Sequence, residues 1–176
     1  MASQEIIFAG FGGQGILSMG KFLAYAGMDI NMNVSWLPSY GPEMRGGTAN
    51  CSVIVSDEPV GTPIVTVPTT LVVMNRPSLD KFEMDIAKNG LLIMDSDLVD
   101  RKLNRDDLNV LRIPAQTEAD KLGSKQIANM VLLGALVAKT KIVTMDELLA
   151  ALKAHGKEKF YELNKKALEV GASYVK

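Results

Sequence analysis

Along this chain, compact apolar runs alternate with stretches in which apolar residues return every three or four positions, the signature of strands alternating with helices. The first run, 5–9, is followed by a helical pattern over about 15–28, which makes a βα opening. "NVSWLPSY" (33–40), "ANCSVIVSD" (49–57) and "TTLVVMN" (69–75) read as the second, third and fourth strands, the last rich in β-branched residues. Asn75-Arg76-Pro77 opens a helix expected to reach about Lys88, where Asn89-Gly90 closes it. "LLIMDSD" (91–97) and "NVLRIPA" (109–115) supply two further strands. Their near-continuous apolarity suits a sheet covered on both faces. The expected architecture is therefore three-layer α/β/α, a Rossmann-like, doubly wound and mostly parallel sheet.

The last third of the chain reads as helical. Thr117 is expected to cap a short helix, and a longer one over about 125–139 is apolar nearly all round, so it must be covered on several sides. Thr144-Met145-Asp146-Glu147 has capping-box spacing, which starts a helix running to His155. A last helix runs from Lys157 to about Val170 and stops before Gly171. With no repeat, low-complexity segment or long linker, residues 1–176 form one domain. The ten methionines read mostly as core filler; Met44 in a glycine-rich loop and Met84 on a charged helix are the two suited to contact with a partner.

Composition then narrows the chemistry. The chain is 47% hydrophobic and 22% charged, as an ordinary globular domain is, so disorder and fibrous structure are excluded. Its 19 Lys plus Arg against 20 Asp plus Glu leave no basic excess to drive nucleic-acid binding. Glu5 stands where a secretory signal wants positive charge, and glycines soon interrupt the apolar run, which makes a cytoplasmic protein the expectation. A membrane span needs about 18 consecutive apolar residues. The nearest stretch, 127–138, contains Asn129 and meets Lys139, so no membrane partner is expected. Iron–sulfur clusters and structural zinc sites each need about four Cys or His ligands. This chain has one of each, Cys51 and His155. Cys51, inside "ANCSVIV", reads as a small buried hydrophobe, and His155 as a surface imidazole near the last carbonyls of a helix.

Two loops stand out. Gly10-Phe11-Gly12-Gly13-Gln14-Gly15 satisfies G-x-G-x-x-G between a strand and a helix, where glycines allow a tight turn and close ligand approach and the free N–H groups of the helix start favour an anion such as phosphate. A nicotinamide cofactor fits poorly, because the second strand does not end in the acidic residue that would hold a ribose hydroxyl; Asp29 and Glu43 both fall away from it. Gly15-x4-Gly20-Lys21 mimics a Walker A loop, but Phe22 stands where Mg²⁺ coordination requires Ser or Thr. A plain tight turn is the alternative. The second loop, "SYGPEMRGGT" (39–48), holds Arg45, the only basic residue between Lys21 and Arg76, which offers a bidentate guanidinium to an anion or pairs with Glu43 at the surface.

Together, "GFGGQGI" and "SYGPEMRGGTANCSVIVS" resemble the gamma subunit of the 2-oxoacid:ferredoxin oxidoreductases, and "MNRPSLDKF" (74–82) and "ANMVLLGAL" (128–136) extend the likeness over nearly the whole chain. The resemblance implies one subunit of a heterotetrameric enzyme that turns a 2-oxoacid and coenzyme A into acyl-CoA and CO₂ while reducing ferredoxin. Its partners would be the alpha, beta and delta subunits, which would carry thiamine diphosphate, Mg²⁺ and the iron–sulfur clusters. This chain has no G-D-G thiamine motif and too few cysteines, so it is expected to hold no cofactor itself, to be inactive alone, and to help dock coenzyme A. The positions expected to contact coenzyme A are Gly12, Gly13, Gln14, Gly15, Ser39, Tyr40, Glu43, Arg45, Gly46, Gly47 and Asn75. "YGPEMRGGT" is more similar to the 2-oxoglutarate and branched-chain members than to the pyruvate ones, which selects 2-oxoglutarate; indolepyruvate enzymes contain a related domain. The rival readings are a stand-alone nucleotide-binding oxidoreductase and a ligand-free structural subunit.

Overall fold

The structure, a computed structural model, describes residues 2–39 and 48–176. Strands β1 (Ser3–Phe11), β2 (Asn33–Ser39), β3 (Thr48–Ser56), β4 (Thr70–Val73), β5 (Leu91–Asp95) and β6 (Asn109–Ile113) form one sheet in the order β2-β3-β1-β4-β5-β6. The helices are α1 (Ile16–Asp29), α2 (Arg76–Phe82), α3 (Ala115–Lys121), α4 (Ala128–Thr140), α5 (Met145–His155) and α6 (Glu158–Ser173). β1, β4, β5 and β6 pair in parallel, whereas β3 is antiparallel to both β1 and β2. The layered α/β fold is as expected, with one strand reversed. A buried apolar run looks the same in either direction, so its pattern alone does not reveal the reversal.

Side chains alternate across this sheet. Ile6, Phe8, Cys51, Val53, Val72 and Ile93 face a core built with α1, α3, α4, α5 and α6. Ile7, Ala9, Ile54, Leu71, Val73 and Leu92 face a smaller core closed by Leu79 of α2, Ile86, Val65 and Val99. β4 and β5 are buried at every position. α1 lies so close to β3 that a Cβ on Gly20 would stand 2.6 Å from Cys51 Sγ; Gly20 is a packing residue inside the helix, not part of a phosphate loop. Cys51 is fully buried and its thiol donates to the Ile16 carbonyl (3.6 Å); burial pushes its pKa up to about 12, away from the reactive thiolate.

Four element ends differ from expectation, each for a local reason. α2 stops at Phe82 and a 3-10 turn, Glu83–Asp85, replaces the stretch expected to reach Lys88. Glu83 is 1% exposed, and its carboxylate accepts from Arg101 (2.6 Å) and the Asn104 and Arg105 N–H groups (2.5 and 3.2 Å), drawing the chain out of the helical path. α3 begins at Ala115, behind Pro114, so Thr117 is inside the first turn rather than the cap. Asp97 caps it from outside, accepting the Thr117 N–H (2.7 Å) and hydroxyl (3.1 Å). The helix expected from Lys125 starts as a 3-10 turn, Lys125–Ile127, before α4 proper.

α6 runs through Gly171 instead of stopping there. A Cβ on Gly171 would fall on the Val131 carbonyl of α4, and one on Gly134 of α4 would fall on the Leu168 carbonyl of α6. Both glycines are contact points between two helices in backbone contact. The capping box of α5 is present as expected: Thr144 Oγ1 accepts from the Glu147 N–H (3.1 Å) and Glu147 accepts from the Thr144 N–H (2.7 Å). His155 at its end pairs with Asp29 (3.0 Å) and stacks on Tyr25 with ring centroids 4.0 Å apart. Met84 is 66% exposed.

Candidate functional site

Between the last residue of β1 and the first of α1 the chain reverses through two left-handed glycines, Gly13 (φ 89°) and Gly15 (φ 75°). Gly15 occupies the N-cap position, and no side chain caps the helix. The N–H groups of Gly13, Gly15, Ile16, Leu17 and Ser18 find no acceptor among the described residues. These five donors, unpaired among the described residues, at and just before the positive end of a 14-residue helix contribute positive potential from the backbone itself. A Cβ on Gly13 would meet nothing within 4 Å, so the loop is open there, while one on Gly15 would collide with the Asn129 amide of α4. Gln14 is committed to the loop itself: Oε1 accepts the Phe11 N–H (2.7 Å) and Nε2 donates to the Met74 carbonyl (3.2 Å). These bonds tie the ends of β1 and β4 together, while Gln14 also lines the cleft beside the loop.

Because β1 and β4 are parallel, Asn75 emerges at the same carboxyl edge as the loop. It is 2% exposed; Oδ1 accepts the Ser78 N–H (2.8 Å) as the cap of α2, and Nδ2 has no partner among the described residues. β2 runs with β1, so Ser39 ends on that edge too, and Thr48, the first residue of β3, pairs with Phe11. Gly12, Gly13, Gly15, Ser39 and Asn75 thus share one edge. Tyr40, Glu43, Arg45, Gly46 and Gly47 lie outside the described residues.

Beside the loop is a cleft of about 200 Å³ lined by Gly13, Gln14, Met74, Leu98, Gln116, Lys125 and Gln126. It adjoins a second, of about 390 Å³, lined by Asp97, Leu98, Gln116, Thr117, Asp120 and Lys125. Behind them, at the end of β5, Asp95 is wholly buried and accepts from the Asp97 and Ala115 N–H groups (3.1 and 3.2 Å) and Gln116 Nε2 (3.3 Å). Burial raises its pKa above the ordinary carboxylate value, and these hydrogen bonds offset part of the rise. A further cavity of about 400 Å³, between Gln4, Thr70, Lys88 and Lys139, sits at the opposite, amino-terminal edge. In open α/β sheets ligands bind beyond the carboxyl ends of the strands, which favours the glycine-loop clefts.

The family model of pyruvate ferredoxin/flavodoxin oxidoreductase matches residues 5–174. The chain belongs to that family. It is 41% identical over 176 residues to the ketoisovalerate oxidoreductase subunit VorA of Methanothermobacter thermautotrophicus, covering 98% of this chain and 36% of that one. Over 152 residues it is 36% identical to the 2-oxoglutarate synthase subunit KorC of Methanocaldococcus jannaschii, covering 85% and 81%. The chain therefore spans about a third of the ketoisovalerate relatives' length and most of the 2-oxoglutarate relative's. Among solved structures it is similar to the gamma subunit of keto/oxoacid ferredoxin oxidoreductase from Geobacter sulfurreducens, with a TM-score of 0.88, 34% identity and 99% and 97% of the two chains covered. The 2-oxoglutarate:ferredoxin oxidoreductase of Magnetococcus marinus, with 2-oxoglutarate, coenzyme A and succinyl-CoA bound, shares the fold at TM-score 0.87 and 24% identity; this chain spans 31% of it.

Within this family fold, three residues not singled out from the sequence shape the site: Asn129, Gln116 and Lys125. Asn129 carried a signal, being the polar residue in an otherwise apolar helix; it is 6% exposed and donates to the Gly15 carbonyl (3.2 Å). Gln116 and Lys125 sit in ordinary polar surroundings and only the sheet edge reveals them. Among the described residues no group of three or more His, Cys, Asp or Glu is placed to hold a metal ion, and no described helix is long and apolar enough to cross a membrane. One buried thiol does not fit the donor set of an iron–sulfur cluster.

Proposed function

We propose that this chain is the gamma subunit of a 2-oxoacid:ferredoxin oxidoreductase, in which it docks coenzyme A while alpha, beta and delta subunits carry thiamine diphosphate, Mg²⁺ and the clusters. The observation that carries the docking role is the open face at Gly13 beside the unpaired N–H groups of the α1 start. Such a site holds a phosphate by direct donation from backbone amides and by the helix dipole. Coenzyme A is the phosphate-bearing reactant of the reaction that the family catalyses. Arg45, whose loop is attached at Ser39 and Thr48 on the same edge, would add a charge-assisted contact.

The acid that suits this reading is 2-oxoglutarate, supported by the KorC relative being matched over 81% of its length. The 41% identity to VorA favours a second reading, a branched-chain 2-oxoacid. Activity of the purified complex on 2-oxoglutarate and on ketoisovalerate separates them.

The docking role is tested with Gly13→Val in the assembled complex. A branched side chain at Gly13 meets no core atom, and at φ 89° it strains the loop as well as filling the approach of a phosphate, so the KM for coenzyme A should rise at least tenfold with assembly intact. An unchanged KM in an assembled complex overturns the role. A stand-alone nucleotide-binding oxidoreductase would instead bind NAD(H) as the isolated chain, and a ligand-free structural subunit would show only assembly defects.

A further inference from the structure

The cleft beside Gly13 continues past Leu98 into the larger one, and Leu98, Gln116 and Lys125 line both. A glutamine amide on such a boundary can present either a carbonyl or an NH₂, and here the choice is made from behind. Asp95 is 0% exposed, its Oδ1 is occupied by the Asp97 and Ala115 N–H groups, and its Oδ2 faces Gln116 Nε2 at 3.3 Å. The Asp95 Oδ2 accepts from the NH₂. Gln116 Oε1 is thereby turned away from Asp95 and has no donor among the described residues.

We infer that Gln116 is a specificity-determining residue, whose side-chain carbonyl accepts an amide N–H from the phosphopantetheine arm of coenzyme A. This rests on the coenzyme A reading above and assigns which end of the molecule the clefts take. Going outward from its phosphate, that arm carries a carbon bearing two methyl groups, then a hydroxyl-bearing carbon, then an amide N–H. The protein offers matching groups: free N–H donors at the glycine loop, the 43% exposed Leu98 side chain, and the Gln116 carbonyl. The adenosine end places a ribose next to its phosphate, with no apolar branch for Leu98. Gly13 and Gln116 line the same cleft of about 200 Å³, so both face one ligand seated in it. The adjoining 390 Å³ is of the size that takes a small organic ligand. Asp95 acts as a positioning residue, since it touches no part of the ligand.

The test uses the assembled complex and two substitutions. Gln116→Met keeps side-chain length and removes the acceptor. Asp95→Asn leaves the cleft lining untouched but gives position 95 an N–H donor, which turns the Gln116 amide around and shows its NH₂ to the ligand. Each should raise the KM for coenzyme A by roughly fivefold to tenfold, the worth of one hydrogen bond, with little change in kcat or in the 2-oxoacid KM. 4′-Phosphopantetheine should compete with coenzyme A in the wild type and lose the same factor in both variants, and adenosine 3′,5′-bisphosphate should not compete. If both variants keep the wild-type KM while Gly13→Val raises it, the glycine loop docks coenzyme A and the Gln116 assignment is wrong. Competition by the bisphosphate alone overturns it in favour of the adenosine end. If Gly13→Val is also without effect, the docking role itself has failed.

Discussion

Replacing Gly171 by alanine sets two physical effects against each other, and the structure decides which wins. Inside a helix, alanine is favoured over glycine by about 1 kcal/mol, because glycine loses more backbone entropy on folding. On propensity alone, Gly171→Ala should stabilise the protein. In the fold, the added methyl falls on the Val131 carbonyl of α4, with the Val131 carbonyl carbon 2.7 Å and the Ala135 nitrogen 3.0 Å away. Overpacking costs about 1–3 kcal/mol where side chains can give way. Here the obstacle is the backbone of a packed helix, which has no rotamer to change, so the cost lies at or above the top of that range. Relief requires α6 to lift off α4, and a gap on the order of 0.5–1 Å forfeits a quarter to a half of each dispersion contact across the crossing. Subtracting the propensity gain leaves a net destabilisation of about 2 kcal/mol or more. Equilibrium urea unfolding followed by far-ultraviolet circular dichroism measures it, and the melting midpoint should fall by roughly 4–8 °C. Gly134→Ala, against the Leu168 carbonyl, should behave alike, and the double variant should cost less than the sum because the first methyl already parts the helices. A midpoint that stays or rises in Gly171→Ala would refute the reasoning.

Glu83→Ala should destabilise by about 1–3 kcal/mol, since the Asn104 and Arg105 N–H groups lose their acceptor while Arg101 keeps its contact with Asp80 (2.5 Å); denaturant unfolding checks it, and an unchanged midpoint would show the Glu83 cluster to be dispensable. Asp95 holds its proton more tightly folded than unfolded, so its stabilising contribution is complete below pH 3.8 and is lost as pH rises through the folded value. Asp95→Asn should therefore unfold no more easily than wild type at pH 7 and should lose that part of the pH slope, even as its coenzyme A affinity falls. Asp107 shows the opposite sign: hydrogen bonding to Arg105 lowers its pKa to about 2, so its contribution is present above pH 3.8 and is lost as pH falls through about 2; Asp107→Asn should flatten acid unfolding there. Arg45→Ala should raise the KM for coenzyme A by a factor corresponding to about 1.5–3 kcal/mol, with lysine rescuing only in part, and a complex that falls apart while its intact fraction keeps a normal KM would reassign Arg45 to subunit contact.

How far the fold could be read from the sequence depended on how local each cause is. β4 and β5 were legible because a strand buried on both faces must be apolar throughout, and the start of α5 because Thr144 and Glu147 carry both halves of a capping box. The end of α2 was not, because Glu83 owes its place to Arg101 and Asn104, which the β5–β6 connection brings from far along the chain. Thr117 looked like a cap, and its actual partner, Asp97, belongs to another loop. Gly171 looked like a stop because a glycine after an apolar run reads the same whether the chain turns or another backbone lies against it. In the candidate site, the glycine loop declared itself through spacing. Gln14 did not reveal that both ends of its amide serve the scaffold, and Gln116 became visible only once β5 and α3 set it against Asp95.

The tether between Asn129 and Gly15 joins the loop to the far side of the molecule. Asn129 stands in the first turn of α4, its Nδ2 on the Gly15 carbonyl and its Oδ1 taking the Met130 N–H (2.9 Å). α4 is in turn gripped by α6 through Gly134 and Gly171. If an anion draws the loop's N–H groups toward itself, the Asn129 tether is the route by which α4 and α6 would respond. Amide hydrogens of α4 and α6 should then exchange more slowly when the loop is occupied, although no ligand atom comes near most of them. By linkage, if loop occupancy does tighten α4 against α6, then anything that presses α6 onto α4 raises the affinity of the loop by the same factor.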